Sequence, residues 1–434
     1  MAALLQLHHL GRWHDAGVLT AQGDERCRFD YLVDYVFARH AQPVALGLPV
    51  ALQGLGFDED DSADAAPRAA GLPAFLYDLI PQGRGRAHLL GLLNRSDSER
   101  LLTPLLLAGA FNPIGRLRIS SAVAFYEEQL RRNPDGSRLR GFSIDDIVAK
   151  ADAFLEQLSL HAMLSAGTTG VQGVAPKFLL AQDPDGLWFA DLALPDERAR
   201  RHWIVKLPRG RSDDDLLVHR HEAAYLRLAG ALGLRTPGAV ELHGRMLFTE
   251  RFDRRVTADG VVRLHQESLA SLAGLTGFGA PTTQNQLLAA LRRHASDRAA
   301  ETLEFLQRDV FNLALRNTDN HARNSAVQTL EDGRVRLTPL FDVAPMFRDP
   351  ELIPRSVHWR DAAGRRLDDW RAVLDSLALA DDERRALTQG LQAFGRRLEQ
   401  LPALAVDHGV EPPILDACRA SIEQQLEQLR RLSP

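Results

Sequence analysis

The run Arg316-Asn317-Thr318-Asp319-Asn320-His321-Ala322-Arg323-Asn324 constrains this chain more than any other segment. It directly follows Val310, Phe311, Leu313, Ala314 and Leu315, apolar residues at helical spacing that predict a buried helix. The polar run must therefore emerge at that helix's C-terminal end. Beyond it, residues 325–329 and 334–338 flank Glu331-Asp332-Gly333, a hairpin turn signal. The hairpin ends in Leu337-Thr338-Pro339-Leu340-Phe341-Asp342. A helix, a loop and a hairpin thus hold Asp319, Asn324 and Asp342 near one another.

Three such oxygen donors suggest a chemistry. Mg²⁺ takes few protein oxygens and completes its shell with phosphates and water. Phosphoryl transfer uses that ion together with a carboxylate that orients the hydroxyl nucleophile. Asp319 fits the carboxylate, and Asn324 with Asp342 fits the metal. Asp and Asn are also ordinary capping and turn residues, so one of them alone would carry little. His321 reads either as a nucleotide contact or catalytic neighbour, or as a hydrogen-bonding support.

Phosphate-binding candidates lie upstream. Trp203-Ile204-Val205-Lys206-Leu207-Pro208 sets a lysine in a short apolar strand, where its charge calls for an anion unless the side chain snorkels from an edge. ATP phosphates would supply that anion. Glu222, on the next helix, is either its pairing partner or an exposed helix residue. In Gly167-Thr168-Thr169-Gly170-Val171-Gln172-Gly173-Val174-Ala175-Pro176-Lys177 the glycines let backbone N–H groups approach phosphate, and the hydroxyls and Lys177 add donors. It is not a Walker A sequence and reads equally as a connector. Phe248-Thr249-Glu250-Arg251-Phe252-Asp253-Arg254-Arg255 is a hinge whose backbone can bind an adenine edge, or a salt-bridged linker.

Length and composition set the outer limits. A chain of 434 residues makes two or three units, and 45% hydrophobic with 25% charged residues is an ordinary globular balance. A formal charge of −5 shows no basic excess of the kind nucleic-acid binders carry. Cys27 and Cys418 build neither a disulfide framework nor a cysteine zinc site. No run approaches about 18 apolar residues, and the first residues lack the basic and apolar regions of a signal peptide. A cytoplasmic protein of bacterial style, away from membranes, is expected.

Residues 1–140 read as a mixed α/β unit, with helical spacing at 29–38, an extended stretch at 43–52 and an apolar helix at 101–110. The turn cluster Asn133-Pro134-Asp135-Gly136-Ser137 closes it. Residues 141–250 read as a strand-rich nucleotide-binding lobe. Strands at 178–181 and 187–192 flank Asp183-Pro184-Asp185-Gly186. A strand at 203–207, a helix at 219–232 and a hairpin at 240–249 follow. Residues 251–434 are mostly helical, at 284–294, 302–317, 368–377, 381–398 and 412–432.

In order and spacing, Lys206-Leu207-Pro208, Glu250-Arg251-Phe252-Asp253-Arg254, His265-Gln266-Glu267, Thr318-Asp319-Asn320-His321-Ala322-Arg323-Asn324 and Leu337-Thr338-Pro339-Leu340-Phe341-Asp342 resemble the HipA toxin kinases. Leu72-Pro73-Ala74-Phe75-Leu76-Tyr77-Asp78-Leu79-Ile80-Pro81-Gln82-Gly83 resembles a segment of that family's N-terminal subdomain. The resemblance implies an α+β, protein-kinase-related two-lobed fold with an N-terminal mixed α/β subdomain and a largely helical C-terminal lobe. It implies serine/threonine kinase activity with ATP and Mg²⁺: Lys206 on the phosphates, Glu250, Arg251 and Phe252 as the adenine hinge, and Gln266 near the nucleotide. Asp319 is then the catalytic aspartate, with Asn324 and Asp342 as magnesium ligands. Implied partners are a protein substrate, such as an aminoacyl-tRNA synthetase, and a helix-turn-helix antitoxin through which DNA is met indirectly. Family members often carry an autophosphorylated serine in the phosphate loop. Here Thr168 and Thr169 stand in it, and Gly173-Val174-Ala175 looks like an insertion. Two other readings remain at this point: a nucleotide-binding scaffold without catalysis, and a metal-dependent nuclease using Asp319, His321 and Asp342.

Overall fold

The computed structural model describes residues 2–52, 71–132, 141–149, 177–258 and 260–432. In space they group into two units. The first joins Met1–Leu207 to Asp253–Ala280, and the second joins Pro208–Phe252 to Pro281–Pro434. This grouping differs from the division in chain order at residues 140 and 250, because the chain changes unit after Leu207, Phe252 and Ala280.

The first unit opens on an antiparallel meander of strands Ala2–His9, Arg12–Gln22 and Arg26–Tyr31, with Leu117–Ile119 added beside the first strand. Ala3, Leu5 and Leu7 alternate inward, as a half-buried strand requires. Gly17 has no room for a side chain: a Cβ there would lie 2.3 Å from the Phe29 ring. Residues 29–38 depart from the helical expectation, forming the end of a strand followed by the short helix Val33–Val36. Cys27, Phe29 and Tyr31 all face the core at period two, and that packing overrides the helical spacing of Tyr31 with Tyr35. The stretch 43–52 contributes only the isolated bridge Ala45–Leu48. Helices Leu102–Gly109 and Ser120–Arg132 close the core, where Leu5, Leu19, Phe29, Leu76, Leu105 and Phe111 are fully buried. Each such side chain contributes about 1.5–3 kcal/mol.

Also in this unit, strands Lys177–Gln182 and Trp188–Ala190 form the expected hairpin, and Arg201–Lys206 pairs antiparallel with the former. Asp183 Oδ1 builds the turn by accepting from Asp185 N and Leu187 N at 3.0 and 2.9 Å. A second hairpin, Arg254–Thr257 with Gly260–Arg263, leads into the strand His265–Ser268.

The second unit contains the helix Asp213–Ala231 and the hairpin Val240–His243 with Met246–Glu250. The helix begins ahead of the expected residue 219, because Ser212 caps it by accepting from Asp215 N at 3.1 Å and three aspartates fill its first turn. Glu222 on this helix is buried rather than exposed. Helices Gln284–His294, Arg298–Ala314, Trp370–Ser376, Asp381–Leu398 and Pro412–Arg431 follow, with the hairpin Ala326–Thr329 and Val335–Leu337 between them. Among the described residues no helix is long and apolar enough to cross a membrane.

Candidate active site

Three pieces of the second unit meet at the site: the end of Arg298–Ala314, the loop after it, and the segment after Val335–Leu337. The helix buries Phe305, Leu306, Val310 and Phe311, which fixes where the loop starts. Glu301 ties the hairpin to that helix, accepting from Leu337 N at 2.8 Å while pairing with Arg235 at 3.0 Å. Arg308, also buried, donates through Nη2 to Thr338 O at 2.7 Å, just before the segment that carries Asp342.

The loop is held by its own asparagines. Asn317 Nδ2 donates to Asn312 Oδ1 at 3.0 Å, and Asn320 Nδ2 donates to Val357 O at 2.8 Å. Asn324 closes a turn by donating its backbone N–H to His321 O at 2.9 Å. Its side-chain Nδ2 donates to the Asp319 carbonyl at 2.8 Å. Asp319, His321, Asn324 and Asp342 all line one small pocket of about 30 Å³. His321 Nε2 lies 3.7 Å from Asp319 Oδ1, beyond hydrogen-bond range.

Two features of this pocket fit a cation. The Asn324 carboxamide is fixed through its NH₂, which leaves its Oδ1 buried with no hydrogen-bond partner. An acceptor left so is costly unless a ligand meets it. Asp342 holds a backbone φ of +52°, a left-handed conformation that non-glycine residues adopt at a cost and that clusters at functional sites. Among the described residues no group of three His, Cys, Asp or Glu could hold a metal ion. Asp342 and Asn324 can give an ion one carboxylate and one amide oxygen in this pocket, a set that suits Mg²⁺ completed by phosphate oxygens.

Glu250, Arg251 and Phe252, the expected hinge, lie at the end of this unit's strand Met246–Glu250 and in the turn after it. Arg251 is buried, and the Phe252 carbonyl accepts from Gln328 Nε2 at 3.2 Å. The Phe252 ring lies 6.1 Å from that of Phe341, the neighbour of Asp342. Gln328 and Phe341 gained no role from sequence reasoning, nor did Arg308 and Asp309. The available signal for the last two was a charged pair inside an apolar helix.

The remaining candidates lie in the first unit. Lys206 ends its strand and is 7% exposed. Lys177 begins the adjacent strand directly opposite and is 4% exposed. The register places the two lysines at facing positions on neighbouring antiparallel strands. Gln266 follows His265, and Gly115, with φ +94°, brings its backbone against it: a Cβ on Gly115 would lie 3.3 Å from Gln266 N. Thr168, Thr169, Gly170, Val171 and Gln172 lie outside the described residues.

Across nearly its whole length the chain has an α+β, HipA-like fold. It matches HipA of Shewanella oneidensis MR-1, solved in a toxin–antitoxin complex with HipB and operator DNA, with a TM-score of 0.65 at 19% identity over 98% of this chain and 97% of that one. A family model described as the HipA-like C-terminal domain matches residues 169–399, and one described as the HipA N-terminal domain matches residues 10–120. The chain belongs to the HipA family. Two curated relatives from Sinorhizobium fredii (strain NBRC 101917 / NGR234) carry kinase names. "Putative kinase Y4mE" is 32% identical over 203 residues, 44% of this chain and 45% of that protein. "Putative kinase Y4dM" is 28% identical over 204 residues, 43% of this chain and 47% of that protein. The chain thus spans about half the length of these curated relatives.

Proposed function

We propose that this protein is a serine/threonine protein kinase that transfers the γ-phosphoryl group of ATP to a protein hydroxyl, acting as the toxin of a toxin–antitoxin pair. The observation that carries the reading is the pocket shared by Asp319, Asn324 and Asp342, with a buried amide oxygen turned to no protein donor. Asn324 and Asp342 would hold Mg²⁺, which supplies charge neutralisation for phosphate oxygens. Asp319 orients the acceptor hydroxyl and takes its proton, and His321 beside it supports that carboxylate. Lys206 and Lys177 meet phosphate oxygens, and the Thr168–Thr169 loop adds donors. Glu250, Arg251 and Phe252 present backbone groups to the adenine, with Gln266 near the nucleotide. The names of the Sinorhizobium relatives support the kinase class. The HipB and DNA named with the Shewanella protein support a helix-turn-helix antitoxin as partner, with DNA reached through it.

The test is incubation of a bacterial lysate with the purified protein, Mg²⁺ and γ-labelled ATP. Label should appear on a discrete protein, an aminoacyl-tRNA synthetase being one candidate, at serine or threonine. ATP binding without label on any protein would instead support the scaffold reading.

A further inference from the structure

Beside the small pocket lies a larger one of about 410 Å³, within the second unit. Asn312 and Asn317 line both, and Thr318 in the larger pocket directly precedes Asp319 in the smaller. A ligand seated there would end beside the candidate catalytic carboxylate. The volume falls within the range of ligand sites, about 300–1,000 Å³.

Its walls ask for hydrogen bonds of both senses. Asn317 Oδ1, Thr318 Oγ1 and Arg355 Nη1 are buried atoms with no hydrogen-bond partner, and all three residues line the cavity. The first two can accept from amide N–H groups and the third can donate to a carbonyl, which is the complement of an extended backbone. The cavity's charges are unevenly spent. Asp369 caps the Trp370–Ser376 helix, accepting from Arg371 N and Ala372 N, and Asp368 pairs with Arg366. Arg316 donates to the Ala417 carbonyl at 3.1 Å and lies 4.3 Å from the centre of the Phe347 ring. Among the described residues no carboxylate pairs with Arg316, and its exposed guanidinium is open to an incoming acid.

We propose that this groove seats an extended segment of the protein substrate, with an acidic side chain against Arg316 while the acceptor hydroxyl reaches Asp319. The proposal rests on the kinase reading above. The probe is a set of serine peptides with Glu, Ala or Lys fixed at successive positions beside the serine. At one position Glu should lower KM about tenfold relative to Ala with kcat unchanged, the size of a partly exposed charge-assisted hydrogen bond. Arg316→Glu should reverse the order and favour Lys. A retained preference for Glu, or no preference in the wild type, overturns the proposal. If Arg316→Glu does not fold, Arg316→Gln replaces it, and an unchanged KM for the Glu peptide is then the overturning result.

Binding separates this proposal from the kinase reading. The best peptide, with its serine changed to alanine, should alter the fluorescence of Trp359 and Trp370, which line the groove. Binding that depends on Arg316 without any phosphoryl transfer keeps the groove and removes the kinase. Transfer without such binding keeps the kinase and removes the groove. A response to inorganic phosphate alone at lower concentrations than any peptide assigns the pocket to a small anion and overturns the proposal.

Discussion

Two places, one in each unit, bury acceptors in contrasting ways. In the first, Asp253 is 1% exposed and accepts through Oδ2 from both Gly115 N and Arg254 Nη1 at 2.7 Å. Glu267 accepts from Leu46 N at 2.8 Å, Ser271 Oγ at 2.6 Å and His265 Nε2 at 3.3 Å. Burial pushes the Glu267 carboxyl up, and these bonds more than offset it, so it sits below the usual carboxylate range. In the second unit, Asn324 keeps an oxygen without a donor, Asp342 sits in a costly backbone conformation, and Asp319 is partly open to its pocket. Acceptors met from inside belong to the scaffold, whereas an acceptor left for something else marks a site.

Asp319→Asn gives the largest effect that this contrast predicts. It keeps the side chain's shape and removes its charge, so label transfer should fall by about three orders of magnitude or more, within the range of general-base and orientation effects. Circular dichroism and thermal unfolding should be those of the wild type. Undiminished transfer would remove Asp319 from the mechanism.

Asp253→Ala should do the reverse. Removing one partner of a buried, hydrogen-bonded pair costs about 3–5 kcal/mol. Urea unfolding should show that loss in the transition of the first unit, and a cost below about 1 kcal/mol would dissolve the distinction drawn here. Asn324→Ala ranks next. It forfeits one hydrogen bond to Asp319 O, about 1 kcal/mol of stability, because its oxygen meets no donor. The Mg²⁺ concentration for half-maximal transfer should rise about 10–100-fold, by analogy with the loss of metal-site support. A large stability loss with an unchanged Mg²⁺ requirement would make Asn324 a scaffold residue.

What could be read from the chain follows the same division. Asp319, Asn324 and Asp342 lie on one helix–loop–hairpin stretch, so local periodicity and a turn signal were enough to bring them together. The hairpin around Asp183 was legible for the same reason. One partner of Asp253 and one of Glu267 lie 138 and 221 residues away, and nothing in local pattern points to Gly115 or Leu46. In the opening meander Phe29 and Tyr31 satisfy helical and strand spacings at once, so local pattern does not separate the two. The interleaving of the two units is not legible along the chain, because a division in chain order keeps neighbours in sequence together.

The smallest effect concerns pH. His8 is buried, its Nε2 lies 3.4 Å from Arg263 Nη1, and its ring meets Trp13 edge-on. Burial first, and then the Arg263 charge, lowers its pKa from 6.5 to about 3. The unfolded chain therefore binds a proton that the folded chain refuses between these values. The stability associated with neutral His8 is fully present above about pH 6.5 and is lost as pH falls toward about 3. The ceiling is about 1.4 kcal/mol per pH unit, and solvent screening of the neighbouring arginines brings the expected loss to about 1 kcal/mol between about pH 7 and pH 5. His8→Gln should flatten that slope in urea titrations at the two pH values while leaving the pH profile of phosphoryl transfer where it was. If instead the substitution moves the rate profile and leaves the stability slope intact, His8 belongs with the site rather than with the scaffold, and burial with internal partners no longer separates the two.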